Sequence, residues 1–251
     1  LVAGAAVLTP AIVRLRGGEE PVPPDAALGQ AADMIRMLTG KPPLAAAIRG
    51  LDAYLVTVCD HGLNASTFAA RIAASTKAGL ASAAIAGLCA LKGPLHGGAP
   101  GPVLEMLTAV GRPENAYDWL SNAVKHGERL MGFGHRIYKV RDPRADALKV
   151  AVKELIRNGG TTSRLALAEA VEQAALDVLA EEKPGRSLNT NVEFYTAVLL
   201  DALGFPADSF TCVFACARIV GWIAHAREQE MTGRLIRPKS RYVGPVPKQA
   251  A

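Results

Sequence analysis

The chain has 251 residues, of which 50% are apolar and only 5% aromatic, and its net charge is +5. This length supplies a sizeable core for one large domain or two unequal ones. The basic charge would suit nucleic acid or a phosphorylated cofactor, but no nucleic-acid motif occurs and aromatic residues for base stacking are sparse. No apolar run reaches the length and purity of a membrane span, so we expect neither a nucleic-acid nor a membrane partner.

The chain begins at Leu1 rather than at Met, and we expect that an N-terminal portion precedes it. None of the four cysteines falls in a CxxC pair, and each lies among apolar residues. This favours buried free thiols over a disulfide or a metal site, as is typical of a reducing compartment. We therefore expect a cytoplasmic protein. The cysteines are Cys59, Cys89, Cys212 and Cys216.

Helical spacing of apolar residues, bounded by glycine and proline, runs through most of the chain. We expect Pro10 to interrupt or kink the first helix, and Gly79 and Gly87 to interrupt the alanine-rich stretch 68–91. Few alternating strand patterns occur, so the predicted fold class is all-α, followed by an extended basic tail from Gly233. Helices are predicted over residues 1–16, 25–38, 44–58, 68–91, 103–110, 116–125, 145–157, 163–180, 192–203 and 210–230.

Three of the five histidines stand beside glycine in clear breaks between predicted helices: His61, His96 and His135. A histidine at the end of a rigid element can face a cleft. For any one of them a hydrogen-bonded structural role is the alternative. Three in such breaks favour a shared functional site.

The stretch 132–144 is the most unusual part of the sequence. Gly132 and Gly134 free the backbone just before His135, so that the chain can come close to a ligand. Arginine can grip a carboxylate or phosphate through paired hydrogen bonds, and imidazole can hydrogen-bond a developing oxyanion. The stretch suits an anionic substrate with a polarisable carbonyl, although a solvated basic turn would have the same composition. Its cations are Arg136, Lys139, Arg141 and Arg144.

Three further residues carry charge in surroundings that suggest a role. Glu193 stands between apolar residues at a predicted helix start, where it either complements the helix dipole or acts as a general base made more basic by burial. Arg218 lies in an otherwise apolar helix, so its partner is either a protein acid or a bound carboxylate. Arg237 precedes Pro238, which favours an extended backbone and a side chain that reaches outward.

Other kinds of catalytic site lack their sequence patterns. No two histidines are three or four residues apart and no HExxH or CxxC pair occurs, so no metal ligand is predicted. The GxSxG elbow of serine hydrolases is absent, as are the phosphate-binding patterns GxxxxGK[ST] and GxGxxG.

Six motifs, in their order along the chain, resemble those of the citrate synthase family. Each motif alone is weak, but together they cover nearly the whole stretch from Asp60 to Lys239. The chains of that family are considerably longer at the N-terminus, in agreement with a missing start. The motifs are Asp60-His61-Gly62-Leu63-Asn64-Ala65-Ser66, Gly93-Pro94-Leu95-His96-Gly97-Gly98-Ala99, Gly132-Phe133-Gly134-His135 with Asp142-Pro143-Arg144, Asn191-Val192-Glu193-Phe194-Tyr195, Ala217-Arg218 and Arg237-Pro238-Lys239.

The resemblance implies an all-helical, two-domain homodimer. Residues 1–98 and 198–251 would form the large domain, and residues 99–197 a small domain that closes over it. The implied reaction condenses acetyl-CoA with oxaloacetate and water to give citrate and CoA, as in the tricarboxylic acid cycle, through enolisation, aldol-type condensation and thioester hydrolysis. Acetyl-CoA would be a co-substrate, and no cofactor would be bound permanently.

The resemblance also implies the role of each site residue. Glu193 would remove a methyl proton from acetyl-CoA, His96 would hydrogen-bond the thioester oxygen, and His135 would polarise the ketone of oxaloacetate. Binding would fall to His61, Arg144 and Arg218 for oxaloacetate, to Arg237 reaching over from the partner subunit, and to Gly132, Gly134 and Lys139 for CoA.

Three positions depart from the family pattern. Glu193 replaces the aspartate of the best-known members, as in some bacterial members, and its extra methylene moves the carboxylate by about 1 Å. Val58 replaces a histidine, and Pro100 replaces an asparagine where it could re-aim His96. Two alternatives remain open. One is a 2-methylcitrate synthase that uses propionyl-CoA, and the other is a non-catalytic relative that binds a dicarboxylate or CoA.

Overall fold

The computed structural model describes residues 1–98, 100–134, 140–159 and 164–245. Two predicted site residues, His135 and Lys139, lie outside the described residues. The described chain is helical, and its one pairing of extended backbone is an isolated antiparallel bridge between Phe133 and Thr190. The α-helices are α1 (Val2–Arg16), α2 (Gln30–Thr39), α3 (Ala45–Val58), α4 (Ala65–Ser75), α5 (Leu80–Leu91), α6 (Pro100–Val110), α7 (Ala116–Lys125), α8 (Pro143–Arg157), α9 (Arg164–Glu182), α10 (Val192–Ala202) and α11 (Phe210–Thr232).

This architecture confirms the predicted all-α class. Most predicted helices are present with ends shifted by a few residues. Pro10 lies inside α1, so of the two expectations for this residue the interruption is wrong. The second helix begins at Gln30 rather than at Asp25, because the Asp25 carboxylate accepts the backbone N–H of Ala27 at 2.9 Å and forms a local turn instead.

Gly87 does not interrupt a helix, contrary to the prediction, whereas Gly79, with φ of 83°, does separate α4 from α5. A Cβ atom at Gly87 would lie 2.7 Å from the indole of Trp222. Glycine at this position therefore makes room for a large α11 side chain to pack directly on the α5 backbone.

Two groups of buried apolar side chains form the core. The larger one extends through α1–α3 and α6–α11. The smaller one lies between α4, α5 and α11, where Trp222 packs against alanines such as Ala70, Ala74 and Ala83. Because these side chains are small, the three helix backbones approach closely, and α11 holds the α4–α5 pair against the rest of the fold.

The stretch Ala207–Thr232, which contains α11, is long and apolar enough to cross a membrane by length and composition, contrary to the expectation that no apolar run reaches that length and purity. More than half of its most apolar window is buried inside the structure. It also carries Arg218, which is buried within the protein. The stretch therefore has the burial of a core helix, and a core helix can be as long and as apolar as a membrane span.

All four cysteines are free thiols in this structure, but the prediction that they are buried is wrong for two of them. Cys216 is buried and Cys59 is half-buried, whereas Cys89 and Cys212 are exposed. Both exposed thiols lie on helices that are apolar on more than one face, so apolar neighbours in the sequence do not decide burial there.

Backbone hydrogen bonds hold the glycine-rich turn against the segment that leads into α10. The N–H of Gly134 donates to the carbonyl of Asn189 at 2.7 Å, and the N–H of Asn191 donates to that of Gly132 at 2.9 Å. Gly132 has a φ of 87°, and a Cβ atom there would lie 2.9 Å from the ring of Phe194. This position therefore requires glycine both for its left-handed backbone and for the close approach of α10.

We expect Gly132→Ala to destabilise the protein more than Gly185→Ala does. Gly185 has a similar φ of 82° but nothing within 4 Å of an added Cβ, so its variant should lose about 1–2 kcal/mol through the left-handed backbone alone. Gly132→Ala should lose about 1–3 kcal/mol more than that, because its Cβ atom would be too close to the ring of Phe194. Urea denaturation measures both, and equal losses would show that the close approach has no energetic weight.

Candidate functional site

His96 is held beside α4 by the hydroxyl of Ser66, whose oxygen lies 2.9 Å from His96 Nε2. The same oxygen accepts the indole N–H of Trp222 at 3.1 Å. Ser66 donates its own proton to Oδ1 of Asn64 at 2.8 Å, and that atom also accepts the Thr67 N–H as the cap of α4. A hydroxyl has one proton, so in this arrangement His96 Nε2 carries a proton and donates it to Ser66.

Arg218 is a buried cation, 1% exposed. Its Nε–H donates to the carbonyl of Val58 at 2.8 Å. No carboxylate in residues 1–98, 100–134, 140–159 or 164–245 lies within ion-pair distance of it. Burial, followed by repulsion from Arg144, lowers the pKa of Arg218 to about 10. This arrangement favours a bound carboxylate over a protein acid as the partner of Arg218.

Phe214 lies between these two site residues and was not predicted from the sequence. Its ring centre is 4.8 Å from the Arg218 guanidinium and 6.3 Å from the His96 ring, which meets it edge-on. A possible sequence signal was its position one helical turn before Arg218. Burial, and then the charge of Arg218, lower the pKa of His96, so the ring is neutral at ordinary pH.

Asp142 orients Arg144 at the start of α8. Nε–H and Nη2–H of Arg144 donate to the two oxygens of Asp142 at 3.0 and 2.8 Å. Asp142 also accepts the N–H of Val192 at 3.1 Å, which ties α8 to α10. Burial alone would raise the pKa of Asp142, but the hydrogen bonds and charge of Arg144 hold it below its usual value. Asp142 was given no role from the sequence, although an aspartate before Pro143 is typical of a helix start and was the signal available for it.

Glu193 is a largely buried carboxylate in the first turn of α10. Asn191 caps this helix by accepting the N–H of Glu193 at 3.0 Å, and its amide donates to the carbonyl of Gly134 at 2.8 Å. Among the described residues, the carboxylate of Glu193 accepts no hydrogen bond and forms no ion pair. Burial raises its pKa to about 7, against smaller opposing effects of Arg144 and Arg129.

The charges of four predicted site residues act on one another, which indicates that they gather in one region. Arg144 influences the pKa of both Glu193 and Arg218, and Arg218 influences that of His96. Tyr54, buried on α3, has its pKa raised by burial and is influenced by both Arg218 and Glu193. The structure therefore brings His96, Arg144, Glu193 and Arg218 together, and their roles remain predictions.

His61 lies half-buried in the turn between α3 and α4. The preceding Asp60 shapes this turn by accepting the N–H of Gly62 at 3.0 Å. The other oxygen of Asp60 lies 3.1 Å from His225 Nε2, while Arg71 Nε–H donates to His225 Nδ1 at 3.0 Å. His225 therefore has its proton on Nε2 and acts as a structural histidine that fixes the backbone beside His61.

Two predicted cations do not join this group. Arg237 is exposed on the tail, where the N–H of the neighbouring Ile236 donates to Ser75 Oγ at 3.1 Å. Arg141 donates to Asp146 at 2.6 Å and to Glu172 at 2.8 Å. The prediction that the basic run grips an anionic ligand is therefore wrong for Arg141, because protein carboxylates already bind its guanidinium.

Comparison with known proteins identifies relatives over nearly the whole chain. Residues 1–239 match the family model described as citrate synthase, C-terminal domain. Citrate synthase 2 of Bacillus subtilis is 40% identical over 238 residues, which cover 95% of this chain and 62% of the relative. Among curated relatives such as these, the chain spans 52% to 64% of the relative's length.

Two solved structures share the fold. The citrate synthase of Pyrobaculum aerophilum superposes with a TM-score of 0.87 at 37% identity, covering 100% of this chain and 62% of that one. A citrate synthase of Thermoplasma acidophilum, in a ternary complex with carboxymethyl coenzyme A and oxaloacetate, superposes with a TM-score of 0.88 at 29% identity. The match covers 100% of this chain and 66% of that one.

Glu193 gives the protein a pH-dependent stability. Its folded pKa of about 7 exceeds the ordinary 4.5, so the folded state holds the proton more tightly than the unfolded state. The stability from this group is present below pH 4.5 and is lost as the pH rises through 7. We compare the free energy of unfolding of Glu193→Gln with that of the wild type at two pH values, 4.5 and 8. The difference should shift in favour of the variant by up to roughly 3 kcal/mol as the pH rises from the first value to the second.

Urea denaturation at the two pH values measures this difference. Glu169→Gln is a matched control with the opposite sign, because hydrogen bonding to Lys153 is the main cause that lowers the pKa of Glu169. That variant should lose stability relative to the wild type as the pH rises. A difference between Glu193→Gln and wild type that does not change with pH would contradict the burial of an unpaired acid.

Proposed function

This chain belongs to the citrate synthase family, and we propose that it carries the site that condenses acetyl-CoA with oxaloacetate and water to give citrate and CoA. The main support is one observation. A largely buried carboxylate, Glu193, and a buried cation, Arg218, lie in the same region without an ionic partner among the described residues. The reaction needs a base for a weakly acidic C–H bond and a cation for a substrate carboxylate, and these two residues have those properties.

Glu193 acts as the base. A pKa near 7 makes its carboxylate a stronger base than an ordinary one while leaving it substantially ionised at neutral pH. It takes a proton from the acetyl methyl group, and the resulting carbanion attacks the ketone carbon of oxaloacetate to form a C–C bond. The ketone oxygen becomes an alkoxide that is protonated, with His135 as the proposed donor. Water then adds to the citryl thioester, the C–S bond breaks, and CoA leaves as the thiol.

His96 stabilises the enolate through its tautomer. While Nε2 donates to Ser66, the neutral ring has no proton on Nδ1. Ser66 can instead turn its hydroxyl proton from Asn64 to His96 Nε2, which allows Nδ1 to carry a proton and donate it to the thioester oxygen. The indole N–H of Trp222 remains on the Ser66 oxygen in both arrangements. Because the ring is neutral and half-buried, this donor acts where charge develops.

Oxaloacetate would be held by its two carboxylates. Arg218 and Arg144 supply guanidinium groups that can form paired hydrogen bonds, and Asp142 fixes the orientation of Arg144. We assign His61 to the same dianion, with Arg237 contributed by a second copy of the chain. Gly132, Gly134 and Lys139 are proposed to contact CoA.

We propose two domains, with residues 1–98 and 198–251 in the large one and residues 99–197 in the small one. This division assigns His96 and Arg218 to the large domain, and Arg144 and Glu193 to the small one. Closure of the small domain would bring the base onto the bound substrates and exclude water, which strengthens every charge interaction in the site.

We also propose a homodimer that works in the cytoplasm within the tricarboxylic acid cycle. The outer face of α5 is apolar, with Ile85 61% and Leu88 42% exposed. We propose that a second copy covers this face and that its Arg237 contributes to the site. The free thiols agree with a reducing compartment.

The first test is release of thiol from acetyl-CoA that depends on oxaloacetate. We expect Glu193→Gln to lower turnover by about 10²–10⁴-fold, because the amide cannot accept the methyl proton. Glu169→Gln, on the surface of α9, should retain wild-type turnover. Equal thiol release with and without oxaloacetate would overturn the proposal. Faster turnover with propionyl-CoA would assign the 2-methylcitrate reaction, and oxaloacetate binding without turnover would indicate a non-catalytic relative.

The second test separates binding from folding at Arg218. We expect Arg218→Met to weaken oxaloacetate binding by about 2–5 kcal/mol, because the substrate carboxylate loses its buried cationic partner. No carboxylate among the described residues loses an ion pair, and only the hydrogen bond to the Val58 carbonyl is lost, so the free energy of unfolding should fall less than in the control variant. Arg36→Met is the matched control. It leaves Asp33 without its ion pair, so stability should fall while affinity stays unchanged. Unaltered calorimetric affinity in Arg218→Met would refute the assignment.

A further inference from the structure

Glu172 on α9 is a buried carboxylate with an unusually complete set of hydrogen bonds, and its side chain is only 6% exposed. Oε1 accepts from Arg141 Nη1 and from Thr190 Oγ1, each at 2.8 Å. Oε2 accepts from Lys149 Nζ at 2.9 Å and from the Tyr195 hydroxyl at 2.6 Å. One side chain therefore joins four separate parts of the chain: residues before α8, α8 itself, the segment before α10, and α10.

Three of these donors flank the proposed site residues in the chain. Arg141 immediately precedes Asp142, which orients Arg144. Thr190 lies three residues before Glu193, and Tyr195 lies two residues after it. Glu172 thus holds the backbone on both sides of the proposed base, and also the residue before the carboxylate that orients the proposed substrate-binding arginine.

The carboxylate of Glu172 is ionised at neutral pH. Burial alone would raise its pKa, but the hydrogen bonds from Tyr195, Lys149, Thr190 and Arg141 hold it below its usual value. A buried charge of this kind is weakly stabilising at best compared with an apolar side chain of similar volume, whereas breaking its network is costly. What four directed hydrogen bonds provide, and an apolar contact does not, is a fixed relative placement of the segments that they join.

We propose that Glu172 is a positioning residue, which sets the placement of Glu193 and Arg144 relative to the substrates without contacting them. This inference rests on the proposed function for its kinetic part. Its structural part, the placement of the segments 140–144 and 189–195, can be measured without turnover.

Glu172→Gln tests the proposal, because it keeps the size of the side chain and removes the charge that holds Arg141 and Lys149. We expect turnover to fall at least 10-fold and the KM for oxaloacetate to rise at least 3-fold. The limb of the pH–rate profile that belongs to Glu193 should move towards lower pH, because a loosened segment admits water to that carboxylate. Glu172→Asp, with the charge kept, should recover part of the turnover.

Glu169→Gln is the matched control on the same helix, since Glu169 pairs with Lys149 and Lys153 nearer the surface. It should change neither turnover nor the pH–rate profile. If Glu172→Gln only lowers the melting temperature, with turnover and the pH limb unchanged, Glu172 is merely structural and the proposal is overturned.

Amide hydrogen exchange provides the measurement that does not depend on catalysis. In Glu172→Gln, the amides of Gly134, Asn191 and Val192 should exchange at least 10-fold faster, while those in the core of α11 remain unchanged. Unchanged exchange at these three amides overturns the proposal. If the wild type releases no thiol but exchange responds as expected, the proposed function fails and the positioning of these segments by Glu172 stands. If Glu172→Gln does not fold, Tyr195→Phe, which removes one donor, replaces it in both measurements.

Discussion

The burial of unpaired charge is the constraint on which the rest of this structure depends. A carboxylate at Glu193 and a guanidinium at Arg218 are withdrawn from water, and neither has an ionic partner among the described residues. Burying such a group lowers the free energy of unfolding unless a bound ligand pairs with it or hydrogen-bonds to it. Helices suit this purpose, because each satisfies its own backbone groups and the apolar packing of α3, α10 and α11 can enclose a charge without further polar neighbours.

The fold holds the surroundings of each charge in place. Phe214 lies against both Arg218 and His96, and Asp142 ties the start of α8 to α10. The glycine-rich turn is bonded to the segment before α10 because Gly132 has no side chain to keep Phe194 away. The proposed base therefore stands on a segment that is held from two directions, and Glu172 adds a third.

The predictions from the sequence succeeded where one residue type has one physical use. Asparagine directly before a helix is typically a cap, and the Asn64 side chain caps α4. The glycine-flanked histidine His96 does lie at a break and does join the charged group. The predictions failed where a residue type has several structural uses. Gly87 was predicted to interrupt a helix but accommodates Trp222. Arg141 was counted among the cations of a stretch that suits an anionic substrate, whereas it binds Asp146 and Glu172.

The sequence by itself determined the helical class, the order of the motifs and the identity of the charged residues, because these follow from local periodicity, from helix breakers and from side-chain chemistry. Only the tertiary structure decided what each charged residue faces. Whether Arg218 meets a carboxylate, whether Ser66 accepts from His96 and Trp222, and how strongly burial raises the pKa of Glu193 all depend on contacts between residues far apart in the chain. Such contacts leave no local pattern, because packing sets the distance, and with it the energy, of each one.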